Sequence, residues 1–177
     1  MTGQRAPKGG LMASAGGVRT GIAPEPLDRA LGFASIAMLA LVLAAIARGH
    51  AHWGEPPAAV WGHLALVIAA LVLTPVMMLR TKGSDRHRLL GTIWVALLLA
   101  IAIEGFFIPL HGRSFSPIWL ISLFVLWRVP TAFLAARRHQ VARHRAAMRG
   151  TVIGAFVVAG LFTLPFGRML GIWLFHG

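Results

Sequence analysis

Between Trp61 and Gly91 two apolar runs of membrane length are joined by the turn Arg80-Thr81-Lys82-Gly83-Ser84-Asp85-Arg86, with Arg88 just beyond it. Four cations in so short a connection cannot sit in hydrocarbon. The turn therefore belongs at a membrane surface, and the preference of Lys and Arg for cytoplasmic loops assigns that surface to the inside. The two flanking helices are then antiparallel, and the rest of the chain can be counted outward from them.

Composition supports a lipid-solvated domain, with 57% hydrophobic and 12% charged residues in 177. The net charge of +12 is spread over short connections between apolar runs, which is positive-inside patterning and not a nucleic-acid footprint. Cysteine is absent, which excludes disulfides and thiolate metal sites. Tyrosine is absent too, so the interfacial anchors fall to Trp53, Trp61, Trp119, Trp127, Trp173 and the phenylalanines.

Taken in order, residues 1–27 are rich in Gly, Ala and Pro without apolar period, and read as a disordered basic cytoplasmic tail. Five helices are expected after it, spanning about 30–48, 59–79, 88–108, 117–136 and 144–174. Pro75 should kink the second helix, Pro109 should stop the third, and Pro165-Phe166-Gly167 should bend the last. The tail through Arg29, the turn Arg80–Arg88 and the connection Arg137–Arg145, with Arg149 just beyond it, hold thirteen of the seventeen Lys and Arg, against Arg48 and Arg113 in the outer loops. The fold class is thus an all-α integral membrane protein, a five-helix bundle with its N-terminus inside and its C-terminus outside.

Ionisable groups at membrane depth are costly and mark candidate sites. His63, Glu104, Arg128 and Arg168 qualify. Helix direction places His63, Glu104 and Arg168 near the outer leaflet. There they serve either as a structural polar contact, Glu104 pairing with His63 or Arg168, or as a site for protons, a quinone headgroup or a cofactor. Arg128 falls near mid-membrane and needs an interior partner or a bound anionic group.

On the inner side His87 opens the third helix and His144 the fifth, each with a small or flexible residue one turn on, Gly91 and Met148. Two imidazoles at one level on facing helices are what a bis-histidine haem b requires, with Arg88 and Arg149 available for its propionates. The same histidines, flanked by arginines, also suit contact with lipid phosphate. Both readings stay open at the level of residues.

The ordered series His63, Leu73-Thr74-Pro75, Arg80-x-Lys82-Gly83, His87-Arg88-Leu89-Leu90-Gly91, Trp94, Phe115-Ser116-Pro117, His144-Arg145-x-x-Met148 and Leu161-Phe162-Thr163-Leu164-Pro165-x-Gly167-Arg168 resembles the bacterial membrane proteins of domain-of-unknown-function family 2306. The resemblance covers about residues 60 to 175. It implies a small multi-pass protein of the bacterial inner membrane with no assigned biochemistry. The layout is also similar to two-haem b561-type cytochromes, which implies alternate helices paired by histidines. Trp119 stands where that comparison would place an outer ligand, so an outer haem would need His111 instead.

Two functions follow as expectations. The first is a b-type haem electron-transfer or redox subunit ligated by His87 and His144. The alternative is a haem-free accessory or assembly subunit of a larger membrane complex. A transporter is disfavoured by the lone intramembrane carboxylate Glu104, and a hydrolase by the want of any nucleophile motif. Lipids, a larger complex or a quinone are the expected partners, and nucleic acid is not.

Overall fold

The computed structural model describes residues 22–107, 117–158, 160, 163–164 and 167–176. The tail up to residue 21, the outer-loop residues His111 and Arg113 and the Pro165-Phe166 step lie outside them. Among the described residues the chain is helical, with α1 Pro26–Arg48, a 3-10 turn Gly49–His52, α2 Ala58–Leu79, α3 Asp85–Glu104, α4 Pro117–Arg137, α5 Val141–Val152, a π-helical stretch Ile153–Val158, and α6 Met169–His176. Four helical segments among the described residues are long and apolar enough to cross a bilayer, Pro26–His52, Ala58–Leu79, Asp85–Glu104 and Trp119–Arg137.

Several boundaries differ from expectation. α3 ends at Glu104 with the turn Gly105–Phe107 after it, Pro109 lying outside the described residues, and α5 begins at Val141 and so ahead of His144. Two other N-terminal boundaries move for a local reason. α1 begins at Pro26, inside the expected tail, because Glu25 and Asp28 form a reciprocal capping box around a proline in the first turn. α3 begins at Asp85 because the Ser84 hydroxyl accepts the His87 backbone N–H at 3.1 Å. His87 therefore sits in a capped first turn.

The last expected helix is not continuous. Its first part, α5, gives way to the π-helical stretch, and α6 starts only after Gly167, whose φ of 67° is left-handed. α4 and α5 are joined by a tight C-terminal cap in which His139 takes the left-handed conformation at φ 57°. The Gln140 N–H donates to the Ala135 carbonyl at 2.9 Å and the His139 N–H to that of Ala136 at 3.1 Å, a Schellman arrangement that usually employs glycine. α4 also carries Pro130 in its interior, a second helix-internal proline beside Pro75.

Successive helices pack as antiparallel neighbours, and the bundle closes because α6 and the π-helical stretch pack on α1. One end, the basic end, gathers the start of α1, the α2–α3 turn and the start of α5. The far end gathers the end of α1, the start of α2 and α6. There the Trp173 indole lies so close to Gly49 that no β-carbon fits between them, and it stacks on Trp61 with ring centroids 6.1 Å apart. In the core the Thr74 hydroxyl donates to the Ala70 carbonyl at 2.7 Å while accepting Trp94 Nε1–H at 2.9 Å. This side-chain network ties α2 to α3 beside Pro75, where the helix ladder lacks one backbone donor.

Candidate functional site

At the far end, His63 on α2 and Glu104, the last residue of α3, come together. His63 Nδ1 and Glu104 Oε2 are 3.7 Å apart, too long for a direct hydrogen bond, and the two side chains keep only 27% and 28% of their surface exposed. Both atoms are shielded, and neither has a hydrogen-bond partner among the described residues. Gly62 makes the approach feasible, since a β-carbon there would stand 3.1 Å from Glu104 Oε1. His63 also lines a cavity of about 160 Å³ running into the bundle between Val42, Leu71, Leu98, Val125 and Phe156. Phe156 belongs to the π-helical stretch, a distortion often found where helices shape a site. Arg168, expected as an alternative partner of Glu104, forms no ion pair among the described residues and lies just ahead of α6.

At the basic end a second cluster forms around Asp28, which falls between the expected tail and the first expected helix. Asp28 is wholly buried and receives Lys82 Nζ at 2.8 Å, Arg145 Nη2 at 2.6 Å and Arg149 Nε at 2.7 Å, with the Glu25 N–H at 3.0 Å. Glu25 bridges the same two arginines, meeting Arg149 Nη2 at 2.6 Å and also Arg145 Nη1. The Arg149 hydrogen bond holds the Glu25 carboxyl below the usual carboxylate range, and the charges of Arg145 and Arg149 add to this. An antiparallel bridge between Ile22 and Lys82 completes the attachment of α1 to the α2–α3 turn. The pattern Glu25-Pro26-Leu27-Asp28 was the available signal, as a capping box ahead of an apolar run.

The inner histidines are half-buried. His144 donates Nδ1–H to the Ala132 carbonyl of α4 at 2.9 Å, which orients its ring and, among the described residues, leaves Nε2 free. His87 lies within electrostatic reach of His144 and Lys82. Met148 is buried, and Gly91 is packed by Met77, whose Cε would be 3.2 Å from a β-carbon there. A fixed tautomer with a free Nε2 suits metal ligation. The arginines expected at the propionates are engaged elsewhere. Arg149 is bonded to Asp28 and Glu25, Arg88 is paired with Asp85, and the groove at this end is lined by His87 but not by His144. Among the described residues no group of three or more His, Asp or Glu is placed to hold a metal ion.

Arg128 lies on α4 with its guanidinium carbon 6.0 Å from the Trp127 ring centroid and with Gly150 of α5 beside it. It makes no ion pair among the described residues.

A family model described as a predicted membrane protein (DUF2306) matches residues 59–172. The chain belongs to the DUF2306 family. The multi-pass membrane character read from the sequence thus agrees with both the family and the four apolar helices. No curated protein and no solved structure matches the chain. The DUF2306 match takes in His63, Glu104 and the inner cations Lys82, Arg145 and Arg149, but it begins after α1. The two acids that neutralise those cations, Glu25 and Asp28, are therefore supplied from outside the matched region.

Proposed function

We propose that the chain is a five-span protein of the bacterial inner membrane that binds a hydroxyl-bearing apolar ligand of the quinol class at its outer side. His63 and Glu104 form the polar end of this site. The observation that carries the reading is the pair of shielded, unpartnered atoms 3.7 Å apart beside an apolar cavity. Each unsatisfied buried polar atom costs about 1–3 kcal/mol, so a group that relieves both is strongly favoured. A hydroxyl meets both needs, accepting from His63 Nδ1–H and donating to the Glu104 carboxylate. A quinone carbonyl can only accept and would leave Glu104 unsatisfied. The site accordingly prefers the reduced form of the ligand. Five spans, with the C-terminus outside, are supported by the bias of basic residues and by the positions of α5, bound to Asp28 at one end of the bundle, and of α6, stacked on Trp61 at the other.

The test is equilibrium binding of a short-tail benzoquinol and its quinone to the purified full chain in detergent, followed by thermal shift. The quinol should bind about tenfold tighter or better, a difference of roughly 1.4 kcal/mol. His63→Leu should abolish binding. Glu104→Gln, whose amide can donate to a carbonyl, should narrow the preference. Equal affinity for the two forms, or binding that survives His63→Leu, would overturn the proposal.

A second reading, haem b, has one favourable observation, the Nδ1–H of His144 fixed on the Ala132 carbonyl. A reduced b-type band lost in His87→Ala and His144→Ala but kept in His63→Ala would establish it. A colourless protein that binds no quinol would favour the haem-free accessory subunit of a larger complex.

A further inference from the structure

The α2–α3 turn and Ile22, ahead of α1, line an open groove of about 690 Å³ at the basic end. Its rim carries Arg80, Lys82, Arg86 and Arg88, while Ile22, Val76 and Leu90 form an apolar floor. The charge on this rim can be counted completely, because the chain has only five Asp and Glu side chains. Glu25 and Asp28 bind Lys82, Arg145 and Arg149. Glu55 pairs with His52, Asp85 with Arg88, and Glu104 stands beside His63. Lys82 and Arg88 are thereby compensated. Arg80 and Arg86, both exposed on the groove, have no carboxylate left to take.

We propose that this groove is a binding site for the phosphate headgroup of an anionic phospholipid. Two uncompensated guanidiniums offer forked donor sets that match phosphate oxygens. A basic rim over an apolar floor, at the end of two membrane helices, is complementary to an amphiphile with a phosphate head and an acyl chain. Free phosphate would use the rim and leave the floor in water, so the lipid is the better match. Basic pockets between transmembrane helices on the cytoplasmic side are suited to such headgroups. The site is remote from His63 and Glu104, so it stands or falls independently of the quinol reading.

The test uses the full chain in mixed micelles titrated with phosphatidylglycerol or phosphatidylcholine, with retained lipid read by native mass spectrometry. Phosphatidylglycerol should bind about tenfold tighter or better than phosphatidylcholine. The pair Arg80→Gln and Arg86→Gln should remove that preference. The pair Arg137→Gln and Arg138→Gln, on two exposed arginines of the same end, should leave it intact. Arg80→Lys with Arg86→Lys keeps the charge that guides insertion but loses the forks, and should weaken phosphatidylglycerol binding about threefold or more. Equal loss from both glutamine pairs would reduce the effect to general surface charge and overturn the site, as would an unchanged lysine pair. Competition by inorganic phosphate at concentrations comparable to the lipid would assign the groove to free phosphate and overturn the lipid assignment.

Discussion

Replacing Asp28 by Asn should be the most damaging isosteric change in the protein. The carboxylate is wholly buried and accepts from Lys82, Arg145 and Arg149 at 2.6–2.8 Å and from the Glu25 N–H at 3.0 Å. The three cationic side chains are themselves only 14%, 16% and 18% exposed. With Glu25 and Asp28 both ionised, three positive charges meet two negative ones. The amide of the Asp28→Asn variant leaves them only Glu25, so the cluster's net charge rises from +1 to +2. Removing one partner from a buried ionic network costs about 3–5 kcal/mol, because the remaining charges stay desolvated. The cost can be read from reversible unfolding in mixed micelles followed by far-UV circular dichroism. Arg149→Gln alone should also destabilise, and the double variant should fall short of the sum by about 1 kcal/mol or more, since the two groups share a bond. A loss below about 1 kcal/mol for Asp28→Asn, or strict additivity in the double variant, would show that the cluster does not hold α1 to α5 and the α2–α3 turn.

Two other outcomes are expected. Gly49→Ala forces a β-carbon into the Trp173 indole, which should cost about 1–3 kcal/mol as overpacking does, and should change the tryptophan emission because Trp173 stacks on Trp61. Unfolding of Gly49→Ala with unchanged midpoint and emission would contradict that packing. Acidification should weaken the attachment of α1. Glu25 titrates lower in the folded than in the unfolded chain, so its contribution is present above the ordinary carboxylate pKa of about 4 and is lost as pH falls toward the lowered value. Glu25→Gln should flatten the pH dependence of stability in that acidic window, and an unaltered slope would count against the Arg149–Glu25 bond.

The all-helical membrane class was legible from the chain alone, because it depends on two local quantities. One is the length of apolar runs measured against the thickness of a bilayer, and the other is where Lys and Arg fall between them. The same holds for the proximity of His63 and Glu104, since helix direction puts an early residue of α2 and a late residue of α3 at one level. The bend near Gly167 was marked by its Pro-Phe-Gly sequence. The break that turns the last expected helix into α5, a π-helical stretch and α6 carried no comparable signal before Pro165. Period alone cannot tell a π-helical register from an α-helical one.

Other features belong to the tertiary structure. Asp28 lies 117 residues from Arg145 and 121 from Arg149, and only closure of the bundle brings them together. In sequence Asp28 is one acid at the edge of a Gly- and Pro-rich tail; in the fold it is the buried counter-charge for one cation of the α2–α3 turn and two of α5. That closure also decides the fate of the inner arginines. Arg149, free in sequence to meet a propionate or a lipid phosphate, is committed to Asp28 and Glu25, whereas Arg80 and Arg86 are left uncompensated on a groove. A sequence gives the inventory of charges and their approximate depth. Which charges neutralise one another depends on side-chain atoms approaching within about 3 Å, the distance of a charge-assisted hydrogen bond, and that is set by how the helices pack.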